Sequence, residues 1–232
     1  MKKHKQQLST LSMNRRASYA KALTFYQRNR LDEARQVCEQ LLATKPNHAE
    51  TLNLLGVIET QLGQYLTGVK HLQRAVEINP NNASYHANLG LAQHKLGRIE
   101  EAIVSHRTAL RLQPDYLDAA VNLSNSLYQT QRLDEALELL NHWVSRYPDA
   151  PTLHNNLGIV YHLKGMDEQA EYHWKKALLL EPNNADAHTN IGLLLIHQGN
   201  LEQALQSCEK AFQLKPDDIN IVNNLGEAYA KN

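Results

Sequence analysis

Apolar and small residues recur along this chain at fixed offsets, and the offsets repeat every 34 residues. Prolines 46, 80, 114, 148, 182 and 216 hold one phase, with Pro151 the only other proline. Counted back from them, the period starts at residues 15, 49, 83, 117, 151 and 185, and a seventh start falls at 219. Position 7 is Leu55, Leu89, Leu123, Leu157, Ile191 and Leu225, and position 8 is Gly56, Gly90, Ser124, Gly158, Gly192 and Gly226. Position 20 is Ala34, Gly68, Ala102, Ala136, Ala170 and Ala204. Position 27 is Leu41, Ala75, Ala109, Trp143, Ala177 and Ala211. Internal repetition with such a period predicts stacked helical hairpins. A first helix (helix A) with Gly at position 8 can press against a second (helix B) with Ala at position 20. Position 27 then meets the next helix A.

The turn residues fit two helices per period. Position 15 is Gly63, Gly97, Gly165 and Gly199, with Asn29 in the first repeat. Gly, then Asn, accepts the left-handed conformation that ends a helix. Helix B opens with Asp32, Glu100, Asp134, Asp167 and Glu202, acids that suit a positive helix N-terminus. Proline at position 32 ends it.

These residues resemble the tetratricopeptide-repeat family, whose signature sets Leu-Gly, Tyr, Ala, an aromatic and Pro at these offsets. The resemblance covers residues 15–232, leaving a basic tail at 1–14. It implies an all-α fold, a right-handed superhelical solenoid of six repeats plus a seventh helix A, with helix A residues lining the concave side. The family's Trp at position 4 is absent, replaced by Leu52, His86, Ala120, His154, His188 and Val222. Repeat 4 deviates most, with Ser124, Gln131 and Trp143, and predicts a looser or bent junction with repeat 5. The last helix A leaves Leu225 and Tyr229 half covered; it either shields repeat 6 or belongs to a longer array.

Positions 2, 5, 6, 9, 12 and 13 of helix A are the ones the packing pattern does not use. Position 6 is Asn88, Asn122, Asn156, Asn190 and Asn224 in five consecutive repeats. Asn is a mediocre helix former, so its recurrence needs a reason. Its amide carries a donor and an acceptor, matching the peptide unit of an extended chain. The asparagine ladder is similar to the groove of O-linked N-acetylglucosamine transferase-like proteins, where such amides hold substrate backbones. The alternative is that the amides cap or hydrate the groove. Further groove candidates are His94, Tyr128 and His162 at position 12 and Asn125 at position 9. Lys95 is the one basic inner residue of the middle repeats, which disfavours capture of a carboxylate.

Charge narrows the partners. Lys+Arg and Asp+Glu balance at 24 each. Lys2, Lys3, Lys5, Arg15 and Arg16 stand without an acid in the first sixteen residues, a patch too sparse to specify RNA or anionic lipid. No apolar h-region follows these charges, so they do not form a signal peptide. No apolar run approaches the roughly 18 residues of a membrane span. Twelve histidines include no His-x-x-x-His pair, and Cys38 and Cys208 lie five repeats apart, so neither a metal site nor a disulfide is expected. A neutral, amide-rich groove does not suit nucleic acid, and no phosphate loop or nucleophile elbow appears. The expectation is a cytoplasmic, non-enzymatic scaffold without cofactor, binding protein or peptide segments and open to self-association through its helix B faces. The alternative is the substrate-recognition array of an O-linked glycosyltransferase or a sulfotransferase.

Overall fold

The computed structural model describes residues 18–231, so the basic tail at 1–14 lies outside them. All regular structure among the described residues is helical. After α1 (residues 18–27) come α2 (Leu31–Thr44), α3 (Ala49–Gln61), α4 (Tyr65–Ile78), α5 (Ala83–Lys95) and α6 (Ile99–Leu112). Next are α7 (Leu117–Gln129), α8 (Leu133–Arg146), α9 (Pro151–Leu163), α10 (Asp167–Leu180), α11 (Ala185–His197), α12 (Leu201–Leu214) and α13 (Ile219–Lys231). Each helix A from α3 onward starts at position 1 of the period. The residues form two compact units that divide between Asn122 and Leu123, inside α7.

The helix ends follow from local chemistry. Asn82 and Asn184 accept backbone N–H groups of the first turns of α5 and α11, and Asp218 does so for α13. Pro151 stands in the first turn of α9, where its missing N–H costs nothing. Helix A ends with a left-handed residue at position 15 in every hairpin: Asn29, Gly63, Gly97, Gln131, Gly165 and Gly199. The next N–H closes the turn onto the carbonyl five residues back, as in Gln64 to Glu59 (2.8 Å) and Arg132 to Leu127 (2.9 Å). Gln131, at φ 59°, has a Cβ where the others favour Gly. Gln131→Gly is therefore expected to stabilise the chain by about 1 kcal/mol, measured by urea denaturation; a loss of stability would refute it.

The close approach between paired helices involves position 24 more than position 20. A Cβ on Gly56 would lie 2.6 Å from Leu72 Cγ, one on Gly90 2.6 Å from His106 Cε1, and one on Gly192 2.6 Å from Cys208 Sγ. On Gly158 it would run into the indole of Trp174. Position 20 contributes through Gly68, whose carbonyl oxygen a Gly56 Cβ would meet at 2.9 Å. Position 27 packs against the following helix A as expected: Ala75 clusters with Tyr85, Ala109 with Ala119, and Ala211 with Ile221.

The junction of repeats 4 and 5 is not loosened. Trp143 is buried and stacks on Tyr147, its bulk filling the space that Ala occupies elsewhere. Lys164 pairs with Asp134 across the same junction. The missing position-4 tryptophan also has a substitute. His86, His154 and His188 each place Nε2 at 2.8–3.0 Å from the carbonyl oxygen of the proline six residues earlier, donating to Pro80, Pro148 and Pro182. In these three repeats position 4 ties helix A to the preceding turn through a hydrogen bond.

Candidate functional site

In the second unit the inner faces of α7, α9, α11 and α13 enclose a hollow of about 310 Å³. Asn125, Tyr128, Asn155, Asn156, Ile159 and Asn190 line it, together with Asp186, Thr189, Asp218, Asn220 and Ile221. No lysine or arginine is among its lining residues.

Hydrogen bonds within the array set its floor. Asn156, 6% exposed, donates from Nδ2 to Ser124 Oγ (2.9 Å) and to Asn125 Oδ1 (2.7 Å). Both of its amide hydrogens are committed, so its carbonyl oxygen is what it can offer a ligand. Asn190 donates to Asn155 Oδ1 of the preceding helix A at 3.1 Å, which leaves it one amide hydrogen and the carbonyl oxygen. Asn88 does the same in the first unit, reaching Asn53 at 2.9 Å. In these two repeats the bond runs from position 6 to position 5 of the preceding repeat. Repeat 4 carries Val121 at position 5, without a side-chain acceptor, and Asn156 turns to Ser124 and Asn125. The asparagine register thus joins successive helices as well as facing the hollow.

Tyr128 is half-buried, and burial followed by the Asp186 charge raises the pKa of its hydroxyl. It is a neutral hydrogen-bonding group on an apolar ring. Asp186 pairs with Lys215 at 2.6 Å, and Asp218 caps α13 through the N–H of Asn220 at 2.9 Å.

Of the residues singled out from sequence, the hollow gathers Asn125, Tyr128, Asn156 and Asn190. Asn88 and Asn122 lie in the first unit, and Asn224 and His94 are not among the lining residues. His162 bonds Asp167 Oδ1 through Nδ1 at 2.7 Å and packs on Trp174, tying α9 to the first turn of α10. The inner positions of helix A are also less free than the sequence pattern implies, since Leu54, Ala87, Asn155 and Ile196 are buried there. Asn155, Ile159, Asp186, Thr189 and Asn220 were not named singly, although they stand at helix A positions 5, 9, 2, 5 and 2, among those the packing pattern leaves unused; Asp218 and Ile221, at positions 34 and 3, carried no such signal.

Among the described residues no three His, Cys, Asp or Glu side chains gather as metal ligands. The close pair is His154 and His173, Nδ1 to Nδ1 at 3.1 Å, with Tyr161 stacked on His173. Because His154 donates Nε2–H to Pro148, its Nδ1 accepts from His173, and burial followed by the neighbouring His154 lowers the His173 pKa to about 4. Cys38 and Cys208 are buried free thiols. No described helix is long and apolar enough to cross a membrane.

A model of the TPR repeat matches residues 56–97, and models of the tetratricopeptide repeat match 5–49, 93–157, 151–184 and 185–218. No curated protein matches in sequence. A TPR protein of Thermus thermophilus is 28% identical with a TM-score of 0.69, over 78% of this chain and 99% of that one. A tetratricopeptide repeat protein from Parabacteroides merdae is similar in fold at 16% identity and a TM-score of 0.81, covering 94% of this chain and 85% of that one. A chain of the APC/C hetero-tetramer Cut9-Hcn1 aligns at 17% identity and a TM-score of 0.79 over 92% of this chain, which spans only 42% of that relative.

Proposed function

This chain belongs to the tetratricopeptide-repeat family, and we propose that it is a non-enzymatic scaffold holding an extended segment of a partner polypeptide along its helix A faces. The observation that carries the reading is the hollow of the second unit, where Tyr128 and Asn190 stand on a floor that the array's own hydrogen bonds hold in place. An extended segment presents alternating N–H and C=O groups. The remaining donor and acceptor of Asn190, the carbonyl of Asn156 and the Thr189 hydroxyl match that alternation. Ile159 and the ring of Tyr128 supply apolar contact beside it. With Asp218 and the Lys215-paired Asp186 on its wall and no base among its lining residues, the hollow suits a neutral or basic segment better than a carboxylate. On this reading the chain works in the cytoplasm, where its two buried thiols stay reduced.

A displayed peptide library selected on the intact chain tests this. Selected peptides are expected to bind the Tyr128→Ala/Asn190→Ala variant at least about tenfold more weakly, the effect of losing one aromatic contact and one hydrogen bond. Asn156 is left in place because both of its amide hydrogens join α9 to α7, whereas Asn190 commits one to Asn155. Equal binding by both proteins, with equal melting temperatures, would overturn the proposal. A second reading rests on the recurrence of asparagine at position 6 from Asn88 to Asn224: the array selects substrates for an O-linked glycosyltransferase or a sulfotransferase. It expects the selected peptides to share Ser, Thr or Tyr acceptors at one register, and peptides without them would remove it.

A further inference from the structure

The side chains around the hollow divide unevenly between donors and acceptors. Asn156 commits both amide hydrogens to Ser124 and Asn125. It is 6% exposed, and its carbonyl oxygen has no hydrogen-bond partner among the described residues. Thr189 gives its hydroxyl hydrogen to the carbonyl of Ala185 at 2.7 Å, so toward a ligand it is an acceptor. Asp218 caps α13 with Oδ1, which takes the N–H groups of Asn220 and Ile221 and leaves Oδ2. Lys215 holds Oδ1 of Asp186 from outside the lining, which again leaves Oδ2. The donors that remain in the lining are neutral amides and the Tyr128 phenol. The wall is therefore richest in acceptors, and its only charged groups are the two carboxylates.

A group that answers this set carries positive charge and several N–H donors. An ammonium presents its donors from a point. A guanidinium presents them in a planar fork, which can meet a carboxylate edge-on and lay its face on an aromatic ring. The acceptors here come from separate elements: Asn156 from α9, Asp186 and Thr189 from α11, Asp218 from the head of α13. The half-buried ring of Tyr128, on α7, lines the same hollow. Asp186 lies close enough to it that its charge, after burial, raises the Tyr128 pKa. We infer that the hollow selects its segment by one arginine side chain, the guanidinium meeting the free oxygens of Asp186 and Asp218 with its plane against Tyr128. That selectivity rests on the hollow's holding an extended segment: backbone contacts supply an affinity any sequence can share, and the arginine sets the choice of partner.

Peptides selected from the displayed library are expected to share an arginine at one register. A selected peptide is then titrated by fluorescence anisotropy into the full 232-residue chain, in arginine, lysine and citrulline forms. Citrulline keeps the shape without the charge and should weaken binding at least about tenfold, with lysine weaker by about threefold or more. The variant is Asp218→Asn. Asparagine caps α5 and α11 from the same position 34, as Asn82 and Asn184, so this chain should melt as the parent does. In it the gap between arginine and citrulline should shrink to less than about threefold, a change that a purely structural role would not produce. Selected peptides without a shared arginine, lysine or citrulline forms that bind as well, or an undiminished gap in Asp218→Asn overturn the inference. So does self-association of the chain alone that Asp218→Asn abolishes, since the arginine would then come from a second copy. Peptides that lack arginine yet bind the Tyr128→Ala/Asn190→Ala chain more weakly than the parent sink the arginine alone. A library that yields no binder sinks the reading of the hollow with it.

Discussion

Trp174→Ala is expected to cost the chain about 3–5 kcal/mol, read as a lower urea midpoint with an unchanged slope. The indole is 2% exposed, lies on Gly158, and donates Nε1–H to the carbonyl of Asn155 at 3.2 Å. Alanine leaves a void the size of that ring, and the neighbours cannot close it. Ala170 and Ala177, on the same face of α10, are already buried at full contact. The loss reaches the hollow because Asn155 is also the acceptor for Asn190. Binding by selected peptides is therefore expected to fall with stability, although residue 174 touches no ligand. Trp174→Phe separates the two contributions: it keeps most of the packing and loses the hydrogen bond, at about 1 kcal/mol. A Trp174→Ala chain as stable as the parent would mean that the α9–α10 pair closes around the gap, and that the glycine notch is no organising feature.

The residue that fills that notch explains where sequence reading stopped. The 34-residue period was legible because its markers are backbone requirements: a proline that ends a helix, a left-handed turn, a glycine where two helices touch. Such requirements recur as the same residue type. The partner of the glycine does not. Position 24 is Cys38, Leu72, His106, Leu140, Trp174 and Cys208, and where position 8 is glycine the notch takes Leu72, His106, Trp174 or Cys208 alike. Self-similarity therefore pointed to the small residue at position 20, alanine in all repeats but the second, while most of the contact lies four residues on.

The asparagine register was legible for the same reason as the prolines, but its hydrogen bonds were not. Whether Asn156 faces a ligand or the preceding helix depends on what position 5 offers one repeat earlier, and Val121 offers no acceptor. Position 4 shows a related limit. Three histidines at one phase invited a metal reading that spacing alone rejected, yet spacing could not show Nε2 meeting a proline carbonyl six residues back. The acids of the hollow, Asp186 and Asp218, sit in first-turn and capping positions where acids are ordinary, and only the stacking brings them beside Tyr128.

His106 supplies the second large effect. It occupies position 24 opposite Gly90, fully buried, and among the described residues neither ring nitrogen finds a hydrogen-bond partner. Burial, followed by the nearby His94, lowers its pKa to about 4 from 6.5. The unfolded chain thus binds a proton between those two values that the folded chain refuses. Stability is complete above pH 6.5 and declines as pH falls toward 4, by about 3 kcal/mol for a shift of that size. His106→Leu is expected to remove this part of the decline and to stabilise the chain at pH 7. Leucine fills the same notch in repeat 2, as Leu72 against Gly56, and brings no unpaired nitrogen into the core. His173, lowered for similar reasons, keeps its own share of the acid sensitivity in that variant. Urea denaturation of both chains at pH 7 and pH 5 checks the assignment. The stability gap between the two pH values should narrow in His106→Leu, and an unchanged gap would mean that the buried imidazole takes up its proton in the folded chain as readily as in the unfolded one.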